Sequence, residues 1–328
     1  MLEIINPETD PYYNLALEEH CLQHFDDQDI LILWQNVPTV VIGRNQNTLE
    51  EINLAYVKEK DIKVVRRLSG GGAVYHDPGN LNFTFIVNDT SGLNRYDFTR
   101  FTHPVIKALD KIGIKAEDNG RNDITIGGKK FSGNAQYRQG KRLLHHGTIL
   151  FDCNLEEMVR ALNVSQEKII SKGVKSVRSR VTNIAEHLHE PMNIKLFKEI
   201  LTQTVFAGQK HEQYKLDGHE REAVLKLKEN KYSTWNFIYG SSPPFNVVKK
   251  AQFEWGNIKV HLNIKKGLIE DCAIYGDFFA GKDIAELACH LRGIKYQESS
   301  LKACLETIDI TSFIPSAKRE EILELFIK

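Results

Sequence analysis

The sequence is short of most features that would assign a class at first reading. It has no net charge, since 43 basic residues balance 43 acidic ones, so no long-range field draws it to nucleic acid or an anionic membrane, and any anion site has to be local. No apolar run approaches the roughly 20 residues that a membrane-spanning helix needs. The opening MLEIINPETDPYYNLALEE lacks a basic stretch followed by an apolar one, which makes a cytoplasmic protein the default expectation. The five cysteines, Cys21, Cys153, Cys272, Cys289 and Cys304, are odd in number and widely spaced, with no CxxC and no Cys/His cluster. That argues against a disulfide framework or a zinc site. Neither GxGxxG nor GxxxxGK(S/T) occurs, so any use of a nucleoside triphosphate rests on another architecture.

What is present organises into segments. With 328 residues and 41% hydrophobic content, the chain can bury one large core or a large and a small one. Pro11 opens a helical stretch with Leu15, Leu17, Cys21, Leu22 and Phe25 apolar and Glu18 and Glu19 on the opposite side. Strand-like runs follow at 30–34 (ILILW), 39–43 (TVVIG), 63–66 (KVVR), 73–75 and 82–87 (NFTFIV), each bounded by turn formers. Helical spacing over 97–112 stops at Gly113. DITIGGKKF then predicts a hairpin with a Gly127-Gly128 turn, ahead of a strand at 143–151 and a helix at 155–162. Tight turns mixed with helical connections argue against a doubly wound parallel sheet and for a mixed, largely antiparallel α+β domain.

Residues 193–227 read as helical and highly charged, and YGSSPP at 239–244 has the strongest linker composition in the chain. A boundary there predicts one domain over 1–243 and a small α/β domain over 248–328, which alternates like a β-meander and ends in helix-like stretches at 281–292 and 319–326.

Four constellations can carry chemistry. The first is RRLSGGGAVYH, where three consecutive glycines, Gly70, Gly71 and Gly72, remove the Cβ atoms that would hold a ligand away from the backbone. Upstream arginines and Ser69 supply positive charge and a hydroxyl donor suited to phosphate or carboxylate. The bland alternative is a flexible turn with solvated arginines, but RRxSGGGA between apolar strands favours an anion site. The second is RNDITIGGKKFSGNA, in which Lys130 sits among small and apolar residues opposite a strand that starts at Asp123. A lysine there can follow a carboxylate and an α-phosphate as a movable point charge, whereas Lys129 reads as an ordinary exposed lysine. The third is HHGTIL, whose adjacent His145 and His146 point to opposite faces of a strand, so a core histidine is a better reading than a metal ligand. The fourth, SKGVKSVRSRVTN, is a basic polar loop over 171–183 that could cover polyphosphate. Without interleaved aromatics it is a poor nucleic-acid contact.

Together RRLSGGGAVYHDPGNLNFTF, RNDITIGGKKFSGNA, HHGTILF, KGVKSVRSRVTN, LWQNVPTVVIGRNQN and DPYYNLALEE resemble the lipoate–protein ligase A family, in the same order through most of residues 10–185. The resemblance implies a catalytic domain of the biotin/lipoate ligase type, related in shape to class II synthetase cores, plus a small C-terminal domain. It implies an ATP-dependent ligase that activates lipoate or octanoate as an adenylate and transfers it to a lysine of a lipoyl domain. The carrier would be a 2-oxoacid dehydrogenase E2 subunit or the glycine-cleavage H protein. By position, the lipoate-binding residues would be Arg67, Ser69, Gly70, Gly71, Gly72, His76 and Lys130. Those for ATP would be Arg67, Gly72, Ala73, Val74, Tyr75, Asn122, Asp123, Lys130, Lys172, Ser176, Arg178 and Arg180. Lys130 would be the catalytic residue, and a Mg²⁺ ion on the phosphates would have Asp123 as its candidate protein ligand.

Three competing functions follow from the same residues. An ATP-independent acyl transferase would use Cys153 as a thioester nucleophile, yet FDCNL has no evident base beside it and a buried thiol at a strand end is the plainer reading. A lipoate or nucleotide sensor would have no need of Lys130 together with both phosphate loops. Biotin transfer would call for a different glycine-rich loop. Neither nucleic acid nor a membrane is expected as a partner.

Overall fold

Branched and aromatic runs form the strands of this chain, and what covers them decides the layers. The computed structural model describes residues 1–89, 97–120, 122–162, 180–239, 247–265 and 267–327. The chain divides into two compact units: Met1–Val41 with Leu49–Arg66 and Val74–Ile238, and a second built from Ile42–Thr48, Arg67–Ala73 and Tyr239–Lys328.

The strands of the first unit are β1 (Leu2–Ile4), β2 (Ile30–Trp34), β3 (Thr39–Ile42), β4 (Lys63–Arg66), β5 (Val74–His76), β6 (Asn80–Asn88), β7 (Glu117–Asp118), β8 (Asp123–Ile126), β9 (Lys129–Gln139), β10 (Arg142–Leu150) and β11 (Glu212–Tyr214). Eight of them form one sheet in the order β11-β1-β2-β6-β10-β9-β8-β7, and a small sheet runs β4-β3-β5. β1 pairs in parallel with β2 and β11, while the pairs from β2 through β6, β10, β9 and β8 to β7 are antiparallel. This is the mixed, antiparallel-rich α+β architecture the turn pattern predicts. The β8–β9 hairpin turns through Gly127 (φ 54°) and Gly128 (φ 76°), the positive values that a two-residue turn of matching twist requires.

One face of the large sheet buries Phe83, Phe85, Phe131 and Ile149 against Phe101, Val105 and Leu109 of the helix Thr99–Asp110 and Phe197 and Leu201 of the helix Ile194–Val205. Each such side chain contributes about 1.5–3 kcal/mol when fully withdrawn from water. The helix Pro11–His24 starts where Asp10 accepts the backbone N–H groups of Tyr12 and Tyr13, with Pro11 in its first turn.

Two sequence expectations need correction. Glu18 and Glu19, placed on the polar side of that helix, are 3% and 7% exposed. The helix is covered on more than one side, because the helix Gly218–Leu227 and the turn Lys228–Tyr232 also pack on it. Both carboxylates have partners: Thr84 donates to Glu18, and Lys231 and Tyr232 donate to Glu19. The continuous helical reading of 193–227 is broken by β11, whose three residues are too few for a period to show.

In the second unit β12 (Val247–Phe253), β13 (Gly256–Lys265) and β14 (Leu268–Gly276) make an antiparallel meander. Its inner face, with Ile258, Val260, Leu262, Ile269 and Ile274, packs on the helices Ile284–His290, Glu298–Glu306 and Arg319–Ile327. The middle helix was not anticipated from the sequence. Two loops from early in the chain belong to this unit, where Arg44 pairs with Asp283 at 3.3 Å and Gly276 donates its N–H to the Asn45 carbonyl at 2.6 Å. Among the described residues, no helix is long and apolar enough to cross a membrane.

Candidate active site

The two arginines of the RRLSGGG motif do different work. Arg66, at the end of β4, donates from Nε to the Phe237 carbonyl and from a terminal nitrogen to that of Ile238, both at 2.9 Å, and so anchors the turn Trp235–Ile238. Arg67 turns its guanidinium onto its own loop. It donates from Nε to Ser69 Oγ at 3.1 Å, and from a terminal nitrogen to the carbonyls of Gly70 at 2.7 Å and Gly72 at 2.8 Å. It is 6% exposed. A planar fork of fixed donors suits this task, because it sets the positions of several loop carbonyls at once.

Space explains the glycines here. A Cβ on Gly43 would lie 2.0 Å from the Gly71 carbonyl oxygen, and one on Gly70 would lie 2.4 Å from that of Phe278, so backbone passes backbone at both points. Gly71 adopts φ +92°, a value side chains disfavour. Gly72 is exposed and Ala73 half-buried, while Ser69, Gly70 and Gly71 are buried. The loop is therefore a braced structure, where the sequence alone left a flexible turn open.

The rest of the motif belongs to the first unit. Val74 is half-buried in β5, and Tyr75 is buried with its hydroxyl donating to Glu157 at 2.7 Å. Burial, followed by the Glu157 carboxylate, pushes the Tyr75 phenol well above its ordinary range. His76 is buried, edge-on to Trp34 at 6.0 Å, with the Asn36 amide 3.1 Å from its Nδ1.

The lysine hairpin is assembled from two distant motifs. Lys130 Nζ lies 2.7 Å from Asp123 Oδ1, with side-chain exposures of 38% and 25%. A Cβ on Gly133 would sit 2.8 Å from Lys130 Nζ and 2.9 Å from its Cε, so the small residue after Lys130 makes room for the lysine itself. Lys130 donates its backbone N–H to the Arg180 carbonyl at 2.8 Å and accepts from Thr182 N–H at 3.0 Å, a parallel bridge centred on Val181. The last residues of SVRSRVTN thus run beside the lysine strand. Arg180 is exposed, whereas Lys172, Ser176 and Arg178 lie outside the described residues. Asn122 donates from its side chain to the Asn134 carbonyl at 3.0 Å.

His145 and His146 face opposite sides of β10, as alternation requires. His146 Nδ1 lies 3.1 Å from Glu18 Oε1, and Thr84, which accepts from Trp34 Nε1 at 2.9 Å, donates to the same carboxylate oxygen. His145 is stacked on Phe101 at 4.6 Å. Among the described residues no group of three or more His, Cys, Asp or Glu is arranged to hold a metal ion. Cys153 is 4% exposed, and burial, followed by Asp77 and other nearby acids, drives its thiol far above its ordinary range. That disfavours the thiolate a nucleophile needs. Sequence reasoning missed Glu18, Thr84, Asn134 and Gln136 as members of polar networks, because the partners of each come from other elements and leave no local pattern.

Residues 10–206 match the family model of the lipoyl protein ligase A/B catalytic domain, and residues 242–326 match that of the bacterial lipoate protein ligase C-terminus. A lipoate–protein ligase of Bacillus subtilis is 45% identical over 321 residues, covering 96% of each chain. Among solved structures, LipL1 of P. falciparum in complex with lipoate superposes with a TM-score of 0.80 at 26% identity, covering 99% of this chain and 98% of that one. A lipoate–protein ligase A bound with ATP superposes with a TM-score of 0.62 at 26% identity, covering 73% of this chain and 98% of the other.

Proposed function

We infer the reaction from one premise: the chain belongs to the lipoate–protein ligase family, as its two family matches and its near full-length relative establish. It is a lipoate–protein ligase. In the proposed reaction a lipoate or octanoate carboxylate oxygen attacks the α-phosphorus of ATP, pyrophosphate leaves, and a mixed acyl-phosphate anhydride forms. The ε-amine of a lysine on an apo lipoyl domain then attacks the acyl carbon and releases AMP. The acceptor would be the lipoyl domain of a 2-oxoacid dehydrogenase E2 subunit, the glycine-cleavage H protein, or both.

The observation that carries the residue assignment is the Lys130–Asp123 pair, a flexible cation 2.7 Å from one carboxylate oxygen and more than a third exposed. An ammonium held this lightly can exchange its partner for an acyl carboxylate or an α-phosphate oxygen, where negative charge grows in the transition state. Lys130 is the catalytic residue of the proposal. Ser69, Gly70, Gly71, Gly72 and His76 would bind lipoate, and Ala73, Val74, Tyr75, Asn122 and Arg180 the nucleotide, with Lys172, Ser176 and Arg178 completing that set. Arg67 would act for both ligands by holding the glycine loop in shape, an organising role in place of direct charge donation. Mg²⁺ fits a site that offers one carboxylate, since this ion keeps several waters and binds mainly through phosphates. Asp123 would hold it or one of its waters, and the ion would supply charge neutralisation on the polyphosphate.

The test is the mass of an apo lipoyl domain incubated with the protein and lipoate, with and without ATP. Lipoylation only with ATP, and undiminished in Cys153→Ala, supports the reading. Acyl transfer from an acylated carrier without ATP, lost in Cys153→Ala, would replace it with a thioester transferase.

A further inference from the structure

A chain of side-chain hydrogen bonds crosses the first unit from Asp97 to the strand end that carries Asp123, and the proposed chemistry uses none of its members before Asn122. Gln136 Nε2 donates to the Asp97 carbonyl at 2.6 Å and lies 3.0 Å from His145 Nδ1. An amide nitrogen only donates, so Nδ1 must accept and the proton of the neutral ring sits on Nε2. That Nε2 lies 3.2 Å from Asn134 Oδ1 and donates to it. With its oxygen engaged, Asn134 points its NH₂ at the Asn122 carbonyl at 3.0 Å and Ser132 Oγ at 3.3 Å. Asn122 returns a bond from its own amide to the Asn134 carbonyl at 3.0 Å.

Every side chain along the middle of this path is buried: Ser132 and His145 are 0% exposed and Asn134 and Gln136 are 3% exposed. Each orientation is set by the one before it, because groups so withdrawn from bulk solvent depend on one another for their partners. Gly147 opens the passage, since a Cβ there would lie 2.3 Å from Asn134 Oδ1 and 2.4 Å from the Phe83 ring. The protonated ring would set a second N–H against the Gln136 amide, and burial, followed by the neighbouring His146, holds His145 well below its ordinary range.

The relay ends beside an irregularity in the backbone ladder. The β8–β9 pairing shifts register between Ile124 and Thr125 and resumes beyond it, where Asp123 pairs with Gly133 and Asn134 donates its backbone N–H to the Asn122 carbonyl at 2.8 Å, so the side-chain bonds of the relay reinforce the strand end beyond the shift. We propose that His145 and Asn134 are positioning residues that hold the Asn122–Asp123 end of β8 in place, and so set where the Lys130 ammonium stands. The inference rests on the ligase reading only in taking Lys130 as the reacting-site charge.

The experiment compares the unaltered protein with His145→Phe, Asn134→Ala and His145→Gln. Phenylalanine keeps a ring against Phe83, Phe98 and Phe101 but removes both polar ends, whereas glutamine retains one acceptor and one donor. The first readout needs no activity: the acetylation rate of Lys130 by mass spectrometry, with Lys210, 84% exposed, as internal reference. His145→Phe and Asn134→Ala should raise it about fivefold, the scale set by a partly exposed ion pair. The second is lipoate-dependent ATP–pyrophosphate exchange, whose kcat should fall about tenfold or more in the same variants with KM for lipoate nearly unchanged. His145→Gln should restore most of both. Unchanged Lys130 labelling in folded His145→Phe or Asn134→Ala overturns the inference. Should the phenylalanine variant not fold, Asn134→Ala and His145→Gln decide it in the same way. Absence of exchange in the unaltered protein would count against the ligase reading instead, and the labelling would still judge the relay.

Discussion

The glycine loop and the lysine hairpin both advertise positive charge in the sequence, and the structure commits that charge in opposite ways. Arg67 is buried and spent: its guanidinium holds Ser69 and the carbonyls of Gly70 and Gly72, and it braces a loop whose backbone touches backbone. Lys130 is partly exposed and committed to one carboxylate at 2.7 Å. The difference follows from the side chains. A rigid fork can satisfy several acceptors of fixed geometry, while a point charge on a flexible stem gives up one partner for another at small cost. Two cations of equal formal charge are therefore committed differently, one to several fixed acceptors and one to a single carboxylate.

The largest effect should come from removing the lysine proposed as catalytic. Lys130→Ala is expected to lower lipoate-dependent pyrophosphate exchange by about 10³-fold, in the range of losing a preorganised charge at a developing anion. Retained exchange would break the comparison at once. A smaller loss, about 10-fold to 10²-fold, is expected for Gly43→Ala, whose Cβ would strike the Gly71 carbonyl at 2.0 Å and displace the loop. Its melting temperature should also drop, since crowding of this kind costs about 1–3 kcal/mol. Arg67→Lys keeps the charge and loses the fork. It should cost about 2 kcal/mol in stability, from charge-assisted bonds that one ammonium cannot replace together, and less activity than Gly43→Ala. If it behaves like the unaltered protein, the bracing role assigned to the guanidinium is wrong.

The smallest effect concerns acid stability of the strand behind Lys130. Burial, with His146 beside it, keeps His145 neutral in the fold. The unfolded ring takes up a proton below about pH 6.5, so the unfolded state binds more protons there and stability falls as the pH drops. The slope is about 1.4 kcal/mol per pH unit, down to the depressed folded-state value. Urea melts at pH 7 and pH 5 should show His145→Gln losing less stability on acidification than the unaltered protein. An equal loss in both would place the acid sensitivity elsewhere, for example at His20, which burial also holds low.

Much of this molecule was legible before any coordinates. The helix Pro11–His24, the strands β2, β4 and β10 and the Gly127-Gly128 hairpin fell within a residue or so of their expected bounds, because periodicity and turn chemistry are local properties. The opposite facing of the adjacent histidines was read from strand alternation, and each packs on its own side of β10 with partners of its own.

Other features had no local trace. Glu18 reads as the polar side of an amphipathic helix, and only a second covering layer makes it a buried acceptor for Thr84 beside His146. β1 and β11 are three residues each, below the length at which a pattern can appear, and they are strands because β2 lends β1 a ladder and β1 lends one to β11. Lys130 and Arg180 are distant in the chain and meet through two backbone hydrogen bonds around Val181.

The sequence by itself determined the elements, the loop that needs glycine, the lysine worth testing and the family, because each is written in residues close together along the chain. Only the tertiary structure decided which arginine braces which segment, which carboxylates are buried, and that Lys130 runs beside the Arg180–Thr182 segment. Those are choices of partner, and a hydrogen-bonding group takes its partner from whatever the fold brings within 3 Å or so, which nothing in its own neighbourhood along the chain specifies.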